Sequence, residues 1–111
     1  MAYFSIGTLP STRMLPGIDR RAAWLPGVML TFFTFEPNSV VPEHTHPNEQ
    51  ITFVTGGAMR FTLAGETRVL RPGDGVCIPP NAPHAAVILD EPTEAIDAWN
   101  PPREDYKTAG C

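Results

Sequence analysis

The hydrophobic positions of this chain fall in short runs that are separated by turn-forming residues. Residues 28–35 read V-M-L-T-F-F-T-F, a β-branched and aromatic composition that is typical of strands. Comparable runs recur with Gly, Pro or Asn between them at intervals of roughly ten residues, which favours a β-sandwich or barrel. The predicted strands are 20–25, 28–35, 51–55, 58–63, 67–70, 76–78, 83–89 and 93–99.

The residues outside these runs complete an all-β prediction. The chain has 13 prolines, which disfavour long helices, and its 111 residues suit one domain with one core. Residues 1–19 show no helical period and are predicted to form an extended arm with a short turn. Gly56-Gly57 is a hairpin signal, so residues 58–63 are expected to return alongside 51–55.

Charge and cysteine content narrow the expected partners. The formal net charge is -4 and there is no Lys/Arg cluster, so no nucleic-acid partner is expected. We find no signal peptide and no long apolar run, which predicts no membrane association and a cytoplasmic location. Cys77, in V-C-I-P, is predicted to be a small buried hydrophobe, and Cys111 to be mobile. Neither suggests a disulfide framework, which fits a reducing compartment.

Candidate chemistry begins with His44 and His46, in the stretch E-H-T-H-P-N-E-Q. Side chains alternate between the faces of an extended strand, so both histidines are predicted to share a face with Gln50, while Glu49 points away. Two imidazoles and a carbonyl oxygen suit a divalent first-row metal ion, and His84, the remaining histidine, would supply a third nitrogen. The alternative is that the pair is polar decoration of the surface.

The wider pattern resembles the cupin superfamily. Its first motif is Gly, five residues, H-x-H, three or four residues, Glu, six residues, Gly; its second is Gly, five residues, P-x-G, two residues, His, three residues, Asn. The corresponding positions are Asn38, His44, His46, Gln50 and Gly57 in residues 38–57, and Gly73, Pro79, Asn81, His84 and Ile88 in residues 73–88. The resemblance implies a single-domain double-stranded β-helix, or jelly-roll barrel, over residues 1–111, with one divalent metal ion per chain.

Two departures from the first motif have physical consequences. Asn38 replaces Gly, a mild change because Asn tolerates the left-handed backbone conformation better than most residues. Gln50 replaces Glu and removes a negative charge from the ligand set. A metal ion held by neutral ligands is expected to be the stronger electrophile.

Residues 95–106, A-I-D-A-W-N-P-P-R-E-D-Y, form a candidate pocket-closing tail. Asp97 and Trp99 share strand parity, so a carboxylate and an aromatic plate are predicted to project from one face. Arg103 follows a Pro-Pro turn that could fold it back towards the barrel mouth. Each residue has a plainer alternative: Asp97 at the surface, Trp99 in the core or a dimer contact, and Arg103 paired with a neighbouring acid.

This tail, combined with H-T-H-P-N-E-Q, resembles the KdgF-type cupin enzymes, which linearise 4,5-unsaturated uronates released from pectin or alginate. Their segment D-x-F-x-P-x-R-E-D-[FY] is matched at Asp97, Trp99 and Arg103, with Trp in place of the usual Phe. The resemblance implies catalytic roles for Asp97 and Arg103 and substrate binding by Trp99 and Arg103. The larger Trp99 leaves less pocket volume, which bears on the identity of the substrate. The implied metal ligands are His44, His46, Gln50 and His84.

The implied reaction opens a cyclic enol ether and tautomerises it to a linear keto sugar acid. Asp97 would move protons, Arg103 would bind the carboxylate as a planar bidentate donor, and Trp99 would stack on the sugar ring. Because the reaction involves no redox change, zinc or nickel would suffice, with iron or manganese as alternatives.

Other functions of the same fold stay open. An Fe(II)-dependent dioxygenase would use the same three histidines, and a non-catalytic cupin would bind a sugar or small acid. A cyclase or isomerase would use an apolar pocket lined by Phe32, Phe33, Phe35 and Trp99. Both faces of several strands are apolar, so the outer face is expected either to form a homodimer, as the resemblance implies, or to pack within the barrel.

Overall fold

The computed structural model describes residues 3–107, in which ten strands form two antiparallel sheets. The strands are β1 (Thr12–Leu15), β2 (Ile18–Leu25), β3 (Val28–Phe35), β4 (Val40–His44), β5 (Glu49–Gly56), β6 (Met59–Leu63), β7 (Glu66–Leu70), β8 (Gly75–Ile78), β9 (His84–Ile88) and β10 (Thr93–Asn100). The order is β1-β2-β3-β10-β5-β8 in one sheet and β4-β9-β6-β7 in the other. Two short 3-10 turns lie at Ile6–Thr8 and Glu104–Tyr106. The predicted all-β jelly-roll barrel is confirmed.

Alternation of side chains along the strands builds a core between the two sheets. In β3, Met29, Thr31 and Phe33 are buried, because every second side chain of a strand points to the same face. In β10, Asp97 and Trp99 point inward in the same way, as their parity predicts. The buried apolar cluster consists of Ile18, Ala22, Met29, Phe33, Phe35, Val54, Met59, Phe61, Leu70, Ile78, Ala86, Ile88, Ala95, Trp99 and Tyr106.

The N-terminal arm predicted over residues 1–19 is partly a strand of the larger sheet. β1 pairs with β2 across the turn at Pro16 and Gly17, and β2 begins at Ile18, earlier than predicted. Ile18 is fully buried. Its burial explains why the strand extends to this position, since an apolar side chain placed inside the barrel favours the extended, paired backbone.

The hairpin predicted at Gly56-Gly57 is wrong. β5 pairs with β10 and β8, whereas β6 pairs with β9 and β7 in the other sheet. The chain therefore crosses between sheets here. Gly57 has a φ of +78°, and a Cβ on it would clash with the Thr93 hydroxyl and the Pro92 carbonyl oxygen. Consecutive glycines indicate a sharp bend, but the local sequence does not specify which sheet the next strand joins.

Residues 38–57, for which the sequence predicts the alternation of a single strand, contain two strands. β4 lies in the smaller sheet and β5 in the larger sheet, and a loop joins them. His44 ends β4, His46 lies in the loop, and Gln50 lies near the start of β5. The parity argument for their common direction is therefore wrong. They converge because the two sheets face each other at this end of the barrel.

The two asparagines that replace motif glycines both adopt the left-handed conformation. Asn38 and Asn81 each have a φ of 64°. This confirms the expectation for Asn38, since Asn is among the few residues that accept this backbone geometry at low cost.

Cys77 is exposed, so the prediction that it is buried is wrong. β8 is an edge strand in which Ile78 is buried, and the side chain before it therefore faces outward. Cys111 lies outside the described residues. Over residues 3–107, no helix is long and apolar enough to cross a membrane.

Candidate metal centre and its cleft

Three histidines converge at one end of the barrel from separate segments. His44, at the end of β4, is directly opposite His84, at the start of β9, in the ladder between these strands. His46 reaches them from the loop before β5. One ring nitrogen from each residue lies within 4.8 Å of the other two.

A backbone carbonyl group orients each of these rings. The Nδ1 atoms of His44, His46 and His84 lie 2.8, 3.1 and 2.8 Å from the carbonyl oxygens of Pro42, Asn48 and Ala82. A carbonyl oxygen only accepts hydrogen bonds, so each Nδ1 carries the proton and donates it. Each Nε2 is left with its lone pair. The chain thus presents three electron-pair donors to one point.

Gln50 supplies a fourth electron pair. Its amide nitrogen donates to Thr52 Oγ1 at 2.8 Å and to Asp97 Oδ2 at 3.0 Å, which turns Oε1 towards the histidines. Oε1 lies 2.8 Å from His46 Nε2, which is itself 3.1 Å from His84 Nε2. With Nδ1 protonated on each ring, no proton lies between these atoms, and the lone pairs repel one another. A cation removes this repulsion, so the donor set fits a divalent metal ion.

Burial keeps the two inner histidines in the form that binds metal. It lowers the pKa of His46, and it lowers the pKa of His84 to about 4. The bonds to Asn48 and Ala82, and the bond that a protonated His46 ring would donate to Gln50, oppose these shifts without reversing them. Because a ligating imidazole must be neutral, both rings can bind metal at neutral pH without first losing a proton.

Asp97 lies beside Gln50 in the barrel interior and is only 6% exposed. Burial raises the pKa of its carboxyl group to about 7, against the opposing effect of hydrogen bonds from Thr52 and Gln50. A carboxyl group with such a pKa can both accept and donate a proton near neutral pH.

Trp99 packs against the metal centre from inside the barrel. Its ring makes an edge contact with the His46 ring, with 5.1 Å between centroids, and its indole N–H donates to Thr31 Oγ1 at 2.8 Å. Only 3% of Trp99 is exposed. In this arrangement the indole supports His46, and its stacking on a sugar ring stays a prediction.

The tail after β10 folds back over the barrel end. The Arg103 guanidinium carbon lies 4.3 Å from the ring centroid of Tyr106 and 5.3 Å from that of Trp99. Arg103 Nε and Nη2 donate to Asp105 at 3.0 and 2.8 Å, and this bond lowers the pKa of the Asp105 carboxyl group. Arg103 Nη1 is buried without a hydrogen-bond partner in the described chain. From the sequence, Arg103 was expected either to pair with a neighbouring acid or to lie at the barrel mouth. In the structure it does both.

Two neighbouring cavities meet at this end of the barrel. The inner one, of about 50 Å³, is lined by Gln50 and Asp97 among others, and the outer cleft, of about 410 Å³, is lined by Arg20 and Arg103 among others. Small-molecule sites usually measure roughly 300–1,000 Å³, so the outer cleft can hold the bulk of a sugar-sized ligand, and the inner cavity admits only a small part of it. Residues that line both cavities are Met14, Val41, His44 and Tyr106.

Sequence reasoning assigned no role to two residues of the cleft, Arg20 and Tyr106. Arg20 lies between the buried residues Ile18 and Ala22 on the inward-facing side of β2. An arginine at an inward-facing strand position is the sequence feature that could have identified it. Tyr106 ends the tail motif; it is buried, and burial raises the pKa of its hydroxyl group. Its ring contacts the guanidinium groups of both Arg20 and Arg103.

Comparisons with known proteins agree with the fold. A family model described as a cupin domain matches residues 31–99. The structure of KdgF from Halomonas sp. is similar over 96% of this chain and 99% of that chain, with a TM-score of 0.91 and 32% sequence identity. The polyketide cyclase RemF from Streptomyces resistomycificus, with a TM-score of 0.80 over 94% of this chain and 82% of its own, is 22% identical and shows the fold alone.

Part of the chain is also similar to a curated lyase. Dimethylsulfoniopropionate lyase DddQ from Ruegeria pomeroyi is 41% identical over 69 residues. The match spans 61% of this chain and 33% of the length of that lyase.

Proposed function

The chain belongs to the cupin family, and from this premise we propose that it is a metal-dependent enzyme that opens and tautomerises 4,5-unsaturated uronates to linear keto-deoxyuronates. The observation that carries the proposal is the meeting of three histidine nitrogens and the Gln50 oxygen next to a cleft with an arginine in its wall. The similarity to KdgF along nearly the whole chain supports it.

The proposed reaction is an isomerisation that needs no added reactant. A proton leaves the anomeric hydroxyl group, C1 becomes an aldehyde, and the bond from C1 to the ring oxygen breaks. The ring oxygen departs as the enolate of C5. C4 then takes up a proton, and C5 becomes a ketone. One proton is lost and one is gained, so a single group can mediate both transfers.

The residues of the chain supply binding and proton transfer. Arg103 binds the substrate carboxylate through Nη1, the nitrogen that Asp105 does not occupy. Asp97 accepts the proton of the anomeric hydroxyl group on a carboxylate oxygen and returns one to C4. Gln50 holds Asp97 Oδ2 in place through its amide N–H. Trp99 fixes the orientation of His46.

The metal ion at this site is proposed to be zinc or nickel, held by His44, His46, His84 and Gln50, with iron or manganese as alternatives. When bound, it would act as a Lewis acid towards a substrate oxygen. The cytoplasmic location, which the sequence predicts, is part of the same proposal.

Turnover of an unsaturated uronate by the metal-loaded protein tests the proposal. The ultraviolet absorption of the conjugated alkene should disappear, and nuclear magnetic resonance should show a linear keto acid. We expect Asp97→Asn to lower turnover by about 10²- to 10⁴-fold, the usual loss when an acid–base group is removed. Asp90→Asn, at an exposed position, is the control. Full turnover by Asp97→Asn would eliminate Asp97 as the proton carrier.

A lyase acting on dimethylsulfoniopropionate is a second candidate, which the 41% identity to DddQ favours. The charges of the cleft do not separate the two candidates, because dimethylsulfoniopropionate carries a carboxylate as well as a sulfonium group, and Glu43 and Asp105 line the cleft beside the two arginines. Turnover of dimethylsulfoniopropionate in place of the uronate would select this candidate. Oxygen consumption that requires Fe(II) would select a dioxygenase, and stabilisation by a sugar acid without turnover would select a sensor.

A second copy of the chain is proposed as the partner of the larger sheet. Its outer face exposes Leu25, Val28, Leu30, Ile51 and Phe53, with exposed fractions of 67, 45, 37, 53 and 42%. Soluble monomers rarely expose an apolar patch that extends over several strands. β3 carries no charged residue, and the exposed acids Glu49 and Glu94 lie near the starts of β5 and β10, so two copies could pair their apolar centres about a two-fold axis and leave these charges at the rim.

A further inference from the structure

Arg20 is a buried cation that forms no ion pair with an anion of the described chain. Only 8% of the residue is exposed. Within residues 3–107 its guanidinium group takes part in no ion pair, and its Nε atom is enclosed without a hydrogen-bond partner. Burying an unpaired charge is strongly unfavourable. This indicates that a partner from outside the chain belongs to the functional state.

The surroundings of Arg20 show where that partner binds. The Arg20 guanidinium carbon lies 4.2 Å from the centroid of the Tyr106 ring, and that of Arg103 lies 4.3 Å from the same centroid. Both arginines line the outer cleft of about 410 Å³. Each has one buried nitrogen without a partner, Arg20 Nε and Arg103 Nη1. The two guanidinium groups therefore pack against the same aromatic ring and lie in the same wall of the outer cleft.

Neither carboxylate that lines this cleft forms an ion pair with Arg20. Asp105, which also lines it, is already paired with Arg103 through two hydrogen bonds. Glu43 is exposed and makes no ion pair with any described residue. Glu43 and Asp105 therefore leave Arg20 without an ion-pair partner among the described residues. A ligand with two acceptor oxygens on one carbon matches the fork of donors that guanidinium groups present.

We propose that Arg20 and Arg103 together bind the carboxylate group of the substrate, with Tyr106 holding both guanidinium groups in position. This inference rests on the proposed function, and it makes Arg20 a second substrate-binding residue, on β2, far in sequence from the tail. His44 lines the same cleft. A carboxylate held by the two arginines therefore leaves the remainder of the substrate next to the metal ligands.

Isothermal titration calorimetry on the metal-loaded protein tests carboxylate binding by Arg20 with two probes that differ mainly in charge. Galacturonate carries the carboxylate, and its methyl ester has nearly the same shape without the charge. The wild-type protein should bind the acid more tightly than the ester. Arg20→Met should lower the affinity for the acid by about 10- to 100-fold and leave that for the ester nearly unchanged. Arg20→Lys, which keeps the charge but loses the fork, should recover part of the loss.

The control is Arg60→Met, which removes the same charge from an exposed position on β6. It should leave the preference for the acid intact. If the wild-type protein shows no preference for the acid, or if Arg20→Met weakens binding of acid and ester equally, the inference is overturned. The comparison of acid and ester on the wild-type protein needs no variant, so it does not depend on whether Arg20→Met folds.

The outcome separates this inference from the proposed function. A protein that linearises uronates but keeps its preference for the acid in Arg20→Met refutes the role of Arg20 alone. A protein that turns over no uronate but loses the preference in this variant refutes the proposed reaction and supports the carboxylate site.

Discussion

The replacement Asp97→Asn should remove the pH dependence of stability that this buried acid imposes on the metal-free protein. The ordinary pKa of the carboxyl group is 3.8, and burial raises it to about 7 in the fold. The folded state therefore holds a proton that the unfolded state has released between these pH values. Stability is unaffected by Asp97 below about pH 4, declines as the pH rises, and reaches its full loss above about pH 7.

The size of the effect follows from the shift. One pKa unit corresponds to about 1.4 kcal/mol, so a shift from 3.8 to about 7 costs on the order of 4 kcal/mol at pH 8. Asn cannot ionise and escapes this cost, while its side-chain oxygen can still accept the hydrogen bond from Gln50. The free energy of unfolding of Asp97→Asn relative to wild type should therefore rise by roughly 4 kcal/mol between pH 4 and pH 8.

Urea unfolding at several pH values between 4 and 8, with a chelator present, measures this difference. His84, whose pKa is lowered, contributes in the opposite direction: its share of stability is lost as the pH falls from about 6.5 towards 4. That contribution is common to both proteins and cancels in the difference. Asp90→Asn, at the surface, should show no such trend. A difference between Asp97→Asn and wild type that is independent of pH would refute the argument that burial controls this carboxyl group.

Three further predictions address metal binding, the crossover and the outer sheet face. His84→Ala should reduce bound metal from about one ion per chain to a small fraction, measured by inductively coupled plasma mass spectrometry, because it removes one of three converging nitrogens; retention of a full equivalent would contradict the site. Gly57→Ala should destabilise the protein by more than about 3 kcal/mol, since both its positive φ and a steric clash oppose a Cβ, whereas Gly65→Ala, with a positive φ but open space, should cost only about 1–2 kcal/mol in urea unfolding. Equal losses would show that the crossover is not sterically constrained. Phe53→Glu should convert a dimer to a monomer in light scattering, while Val69→Glu, at an exposed position of similar accessibility on the other sheet, should not; a monomeric wild-type protein would exclude the proposed pairing.

The sequence by itself determined most of the strands and the common face of Asp97 and Trp99. Strand formation depends on local composition, and the face to which a side chain points depends on a period of two residues. Both features can be seen within eight consecutive positions such as those of β10. The candidate ligands were found because all three histidines fall at the positions of a known motif.

Only the tertiary structure decided how these residues meet. Parity along one strand does not align His44, His46 and Gln50, because β4 and β5 lie in different sheets. Gly57 signals a bend in the sequence, but the packing against Thr93 sets its direction. Arg20 and Arg103 are separated by most of the chain, and their common contact with Tyr106 depends on long-range strand pairing. Local pattern specifies which face a side chain occupies, whereas the burial of two sheets against each other specifies its neighbours, and the chemistry of this site depends on those neighbours.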